Sequence, residues 1–283
     1  EGPGRPHRDA DGALDRAAAR SELPHAPHGD SLRVPEEHVG AHLRMGEIYF
    51  RMGWAKSGLE SFRTAVDLAP DETEPKVKLV GGLLQAGQTT EAEETCLAYV
   101  SVDPDNVDLW LSLGQILEKQ EKRRAAFTTY GQILVLDPEN STAYARQGRL
   151  FCQFGQYAAA ESACRKALEL DEENSIAHAY LGIACSYLGN NNEALAAYEQ
   201  ALTLSPDYAW AHNGKGIVLE RLERYTEALA CYQRAAELSE DDVWHWYNIG
   251  NLLVSMERYE EAIPSLQTAT QKNPHYQRGW ARL

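Results

Sequence analysis

Adjacent carboxylates are the first residues in this sequence that could do chemistry. Glu93–Glu94 and Glu260–Glu261 could share general acid and base work. Both pairs fall on charged helix faces, where carboxylates are solvated, so neither is expected to be catalytic. Five cysteines could bind metal or exchange disulfides, but no CxxC and no Cys/His zinc spacing is present. Cys96, Cys164 and Cys185 occupy apolar helix positions and read as buried, reduced thiols. His7, His25 and His28 lack a fixed spacing for a metal. There is no glycine-rich phosphate loop, no G-x-S-x-G and no HExxH. The sequence therefore predicts no catalytic residue, no cofactor and no metal. What remains is recognition chemistry: aromatic rings and arginines as anchors, and asparagine amides that can pair with an extended peptide backbone.

The elements that must position those residues repeat every 34 residues. Pro70, Pro104, Pro138, Pro206 and Pro274 mark the period, with Glu172 and Glu240 filling the two gaps. Twenty-four residues before each mark stands a glycine (Gly46, Gly114, Gly148, Gly182, Gly216, Gly250), except in the second repeat, where Val80 holds the position. Twelve residues before each mark is Gly58 or an alanine: Ala92, Ala126, Ala160, Ala194, Ala228 or Ala262. A fixed period of this length is the signature of a stacked helical array. The repeats run 39–72, 73–106, 107–140, 141–174, 175–208, 209–242 and 243–276. Each reads as two helices. In the fifth, helix A covers about Ile176–Tyr187 and helix B about Asn192–Leu204, with apolar residues at helical spacing. The small residues let the two helices cross closely. Phe62, Tyr130, Tyr198 and Tyr232 fill the space they leave. Asp-Pro at 103–104 and 137–138 ends helix B, and the Asp or Asn that follows caps the next helix.

This pattern resembles the tetratricopeptide repeat (TPR) family. The match is clearest at Trp110, Leu113, Gly114, Ala126, Tyr130 and Pro138, and again at Trp246, Gly250, Tyr259, Ala262, Ala269 and Pro274. The resemblance implies an all-α, right-handed superhelical solenoid of antiparallel helix pairs. It also implies a concave groove lined by the A helices, in which relatives bind peptides or proteins and rarely catalyse. There are departures. Val80-Gly81-Gly82 puts paired glycines inside a helix, at about 1 kcal/mol each relative to alanine, which makes the second repeat the soft joint of the array. Gln147 and Lys215 replace an expected leucine, which implies looser packing or side chains turned to the groove.

In the family's register the groove is lined by the second, fifth, sixth, ninth and thirteenth residues of each helix A. The spacing itself shows that these positions share a face. Read this way, the N-terminal part of the groove is basic, with Arg44, Arg51, Lys78, Arg146 and Arg149. The C-terminal part is aromatic and amide-rich, with Tyr180, Tyr187, Trp210, Asn213, Trp244, Tyr247, Asn248 and Asn251. Trp210 and Trp244 take the second position of successive repeats, where packing does not demand tryptophan. They are either groove anchors or seals against the preceding repeat. A partner's apolar side chains would sit near Trp210, Trp244 and Tyr180, and its acidic groups near Arg146 and Arg149. The sixth position reads Arg44, Lys78, Ser112, Arg146, Tyr180, Gly214 and Asn248, so the asparagine ladder of the O-linked N-acetylglucosamine transferases is missing. A chaperone clamp fails at its first element, where Asn213 and Ile217 replace Lys and Asn.

The net charge of −15 argues against nucleic acid and anionic membrane as partners. No apolar run is long enough for direct membrane insertion. Reduced core thiols fit a cytoplasmic setting. Residues 1–34 are rich in Pro, Gly, His and Arg and read as disordered or extended, able to lie back in the groove. Pro35-Glu36-Glu37 reads as the start of the first helix. Residues 277–283 open an eighth repeat or capping helix, which leads to the expectation that the protein continues further. The sequence thus points to a non-catalytic interaction scaffold, or adaptor, with a protein or peptide partner. The alternatives are the substrate-recruiting arm of a larger enzyme such as a glycosyltransferase, and a homo-oligomer assembled through the terminal repeats.

Overall fold

The computed structural model describes residues 38–273. The expectations for residues 1–34, for Pro35–Glu37 and for the start of an eighth repeat lie outside the described residues. Among the described residues there are fourteen α-helices and no strand. The A helices are α1 (Val39–Arg51), α3 (Thr73–Gln85), α5 (Val107–Lys119), α7 (Ser141–Gln153), α9 (Ser175–Tyr187), α11 (Ala209–Arg221) and α13 (Val243–Ser255). The B helices are α2 (Ala55–Leu68), α4 (Thr89–Val102), α6 (Arg123–Leu136), α8 (Tyr157–Leu170), α10 (Asn191–Leu204), α12 (Tyr225–Leu238) and α14 (Tyr259–Lys272). The chain divides into two compact units between Thr129 and Tyr130, inside α6. In the first unit α1 packs on α2 and α3, and α3 on α4 and α5. In the second, α9 touches α7, α8, α10 and α11, and the pairs α11–α12 and α13–α14 follow.

The sequence marks have local physical causes. Gly182 and Gly216 lie against the B-helix ring of their own repeat. A Cβ on Gly216 would stand 2.6 Å from Tyr232, and one on Gly182 would stand 2.9 Å from Tyr198. The rings thereby bury almost completely and replace apolar hydration with close contact. Asn106, Asn140 and Asn174 accept hydrogen bonds from Leu109, Ala143 and Ala177 amides at 3.3, 2.9 and 3.0 Å, satisfying helix donors that have no intrahelical partner. Asn106 also donates to Thr73 Oγ1 at 2.7 Å and Asn174 to Ser141 Oγ at 3.0 Å, tying each cap to the previous repeat. At the fourth position of helix A, Trp110 and Trp246 donate ring N–H groups to the carbonyls of Pro104 and Glu240, at 2.7 and 2.9 Å.

Each A–B turn passes through one residue with positive φ. It is glycine at Gly53, Gly87, Gly155 and Gly189, but glutamate at Glu121, Glu223 and Glu257. The second repeat's glycine pair does not interrupt α3, which is continuous. Lys215 is turned from the groove to an ion pair with Glu199 of α10 at 3.0 Å. Cys96, Cys164 and Cys185 are free and buried, and burial pushes the Cys96 and Cys185 thiols up to about 12. No helix among the described residues is long and apolar enough to cross a membrane.

Candidate functional site

A concavity of the second unit lies between α9 and α11. Its walls are Ile183 and Tyr187 from α9 and Trp210, Asn213, Ile217 and Arg221 from α11, and it encloses about 130 Å³. The helix period decides this composition, because the α11 members fall at the second, fifth, ninth and thirteenth places of one repeat. Tyr198 of α10 reaches the cleft floor through Gly214, where a Cβ would stand 2.5 Å from the Tyr198 phenol. Glycine at this sixth position is thus needed to seat the ring.

Trp210 is 59 % exposed and Tyr187 60 % exposed at the cleft mouth. Tyr187 stacks flat on Tyr157, with centroids 4.2 Å apart, and the Arg221 guanidinium stands 5.9 Å from its ring centre. Arg221 donates through Nη1 to the Ser186 carbonyl at 2.8 Å and to its Oγ at 2.9 Å. Its Nε and Nη2 make no hydrogen bond among the described residues. The cleft therefore offers an apolar slot between aromatic walls, with one oriented cation at its end. An exposed guanidinium oriented by a carbonyl, with Nε and Nη2 left over, suits a carboxylate or a peptide carbonyl.

The other anticipated groove residues are distributed more widely. Asn213 is buried and accepts a hydrogen bond from Asn248 of α13 at 2.8 Å. These two amides are partners of each other. Trp244, 47 % exposed, meets the edge of Tyr247 at 6.3 Å, and neither lines the cleft. Asn251 keeps a buried side-chain oxygen with no hydrogen-bond partner among the described residues. Arg149 lies 5.9 Å from the Tyr180 ring centre, while Arg146 is half-buried on α7. Arg44 and Lys78 belong to the first unit and both pair with Glu47. Arg221, Tyr157 and Ser186 were missed in the sequence. Arg221 was findable, since it stands at the thirteenth position of its repeat.

One group of three ligand-bearing side chains gathers among the described residues: Glu161, Cys185 and Glu193, with ligand atoms within 4.8 Å of one another. It already holds a cation. Arg165 donates to Glu161 at 2.9 Å and also pairs with Glu193. With the Cys185 thiol pushed up to about 12 by burial, the cluster is a poor metal site.

Tetratricopeptide repeat models match residues 39–72, 117–175, 184–223 and 207–271. None of the curated proteins matches the sequence. Several solved structures share the fold. A tetratricopeptide repeat protein from Parabacteroides merdae aligns over 87 % of this chain and 97 % of its own, at 18 % identity and a TM-score of 0.64. The Cut9–Hcn1 hetero-tetramer of the APC/C aligns over 89 % of this chain and 56 % of that chain, at 14 % identity and a TM-score of 0.70. YrrB, a TPR protein with an unusual peptide-binding site, aligns over 67 % and 97 %, at 22 % identity and a TM-score of 0.50. Identities this low speak for the fold alone. With the 34-residue period, the antiparallel helix pairs and four matched stretches in agreement, the chain belongs to the tetratricopeptide repeat family.

Proposed function

We propose that this protein is an interaction scaffold, and that its second unit holds an extended segment of a partner protein in the α9–α11 cleft. The observation that carries this reading is the placement of Trp210. More than half of this large side chain is exposed, beside a slot walled by Tyr187, Ile183 and Ile217. Leaving so much aromatic surface in water gains the fold little, whereas aromatic anchors dominate binding energies. An apolar side chain of the partner fills the slot, and a carboxylate or backbone carbonyl pairs with Arg221. Trp244 and Tyr247 extend the apolar track on α13. The peptide-binding site of YrrB, a chain of the same fold, is consistent with this use.

The test is a pull-down from native lysate with this chain as bait, beside the Trp210→Ala/Trp244→Ala double variant, with retained proteins identified by mass spectrometry. The reading expects a protein held by the parent chain and lost by the folded double variant. Equal capture by both, with circular dichroism showing both folded, would overturn it.

A further inference from the structure

Two glycines stand inside α3 of the first unit, where each costs helix stability. Gly82 has a packing reason, since a Cβ there would lie 3.0 Å from Phe62 and 3.1 Å from Phe50. Gly81 has none, because a Cβ there would meet nothing within 4 Å. Its register position is telling. Gly81 is the ninth residue of its repeat, the place that Ile183 and Ile217 fill in the second unit. No side chain from this position crosses the open groove of about 600 Å³ that lies between α1 and α3, floored by Phe62 of α2.

The cavity has an apolar floor and a charged rim. Phe50 and Phe62 stack with ring centres 5.7 Å apart, and Val77 forms the wall beside them. Glu47, Arg51 and Lys78 stand at the rim. Glu47 is the one acid among the lining residues, and it is shared by Lys78, through a direct hydrogen bond, and Arg44, at 3.4 Å. The hydrogen bond from Lys78, with the fields of Lys78, Arg44 and Arg51 behind it, lowers the pKa of its carboxyl. Arg51 makes no ion pair among the described residues. Among the lining residues two cations, Arg51 and Lys78, face one anion and leave one positive charge at the rim, and Arg44 stands beside them, on a chain whose net charge is −15.

We propose that this cavity receives an aromatic side chain from an acidic peptide segment, whose flanking carboxylates pair with Arg51 and the surplus charge of Arg44 and Lys78. The missing ninth side chain makes room for the ring, the stacked phenylalanines meet its face, and the local field selects the sign of its neighbours. This second site lies wholly in the first unit and does not depend on the Trp210 reading.

The experiment uses the full chain and a phage-displayed random dodecapeptide library, followed by fluorescence polarisation of the enriched peptide. Selection is expected to enrich an aromatic residue flanked by Asp or Glu. Gly81→Leu plants a side chain in the groove beside Phe50 and Phe62 while removing a helix-interior glycine, so its melting midpoint stays at or above that of the parent. The same substitution weakens the peptide about thirtyfold or more, the effect of losing a buried aromatic anchor. Arg51→Gln weakens it less and flattens its salt dependence, while Trp210→Ala leaves it unchanged. No enrichment, enrichment of neutral or basic peptides, or binding that survives folded Gly81→Leu overturns the proposal. Loss with Trp210→Ala instead of Gly81→Leu assigns the peptide to the other cleft and overturns it equally.

Discussion

Replacing Glu223 and Glu257 with glycine should stabilise the second unit. Both residues occupy left-handed backbone, at φ 59° and 61°, in the A–B turn position that glycine takes at Gly155 and Gly189. An L-residue held there pays about 1–2 kcal/mol in contacts between its Cβ and the backbone. Glycine relieves this, but returns roughly 0.5–1 kcal/mol through the greater freedom of the unfolded chain. The net gain is therefore about 0.5–1 kcal/mol per site. Both glutamates are exposed and make no ion pair among the described residues, so nothing offsets it. The two turns are separate, and their effects should add to about 1–2 kcal/mol. That corresponds to a rise of about 2–8 °C in melting midpoint for a unit of this size. The assay is thermal and urea unfolding followed by circular dichroism, with Gly189→Glu as the opposite perturbation. A stabilised double variant should show a higher urea midpoint at unchanged slope. If the double variant melts at or below the parent, or if Gly189→Glu costs nothing, strain at these turns does not limit stability and the reasoning fails.

Two further outcomes follow from buried contacts. His245 is 1 % exposed, with neither ring nitrogen hydrogen-bonded among the described residues, and burial lowers its pKa although Asp242 opposes the shift. The unfolded chain takes up this proton more readily, so its contribution to stability is complete well above about pH 6.5 and is lost as pH falls below that value. Melting curves from pH 8 to pH 5 should therefore drop more steeply for the parent than for His245→Phe; parallel curves would discount the group. Gly216→Ala drives a methyl to 2.6 Å from the Tyr232 ring and should destabilise by about 1–3 kcal/mol, whereas Gly81→Ala, with open space around it, should stabilise by about 0.8–1 kcal/mol. Urea midpoints of the two variants moving in the same direction would refute that contrast.

How much of this was legible depends on range. The period located the helix pairs to within a residue or two, because proline, the capping asparagines and the small crossing residues act within a few positions of one another. The capping of α5, α7 and α9 by Asn106, Asn140 and Asn174 is of this kind. The left-handed turns were also legible in principle, since Gly53, Gly87, Gly155 and Gly189 keep the same register, and the glutamates in between mark where the rule is broken. The cleft was legible as a face but not as a site. Asn213 and Asn248 both sit at groove positions, yet whether their amides face a partner or each other depends on the distance between α11 and α13. Gly81 was read as a weak point of the helix. Its other meaning, an absent side chain in front of stacked Phe50 and Phe62, needs the neighbouring helix to be in place. The division within α6 left no mark in the period at all.

The bond between Asn213 and Asn248 ties the α9–α11 cleft to the next repeat of the second unit. Asn213 lines the α9–α11 cleft, and its side-chain oxygen is held by an amide on α13. On the function proposed above, a bound segment that displaced Asn248 from this oxygen would free an amide on the helix that carries Trp244 and Tyr247. Such an exchange would move about 0.5–1.5 kcal/mol, the net worth of one hydrogen bond, from the inter-repeat contact to the ligand. By reciprocity, a ligand that engaged Asn248 would loosen Asn213 and change the affinity of the cleft by the same factor. Two neighbouring stretches of one partner would then be coupled, each shifting the affinity of the other whichever docks first.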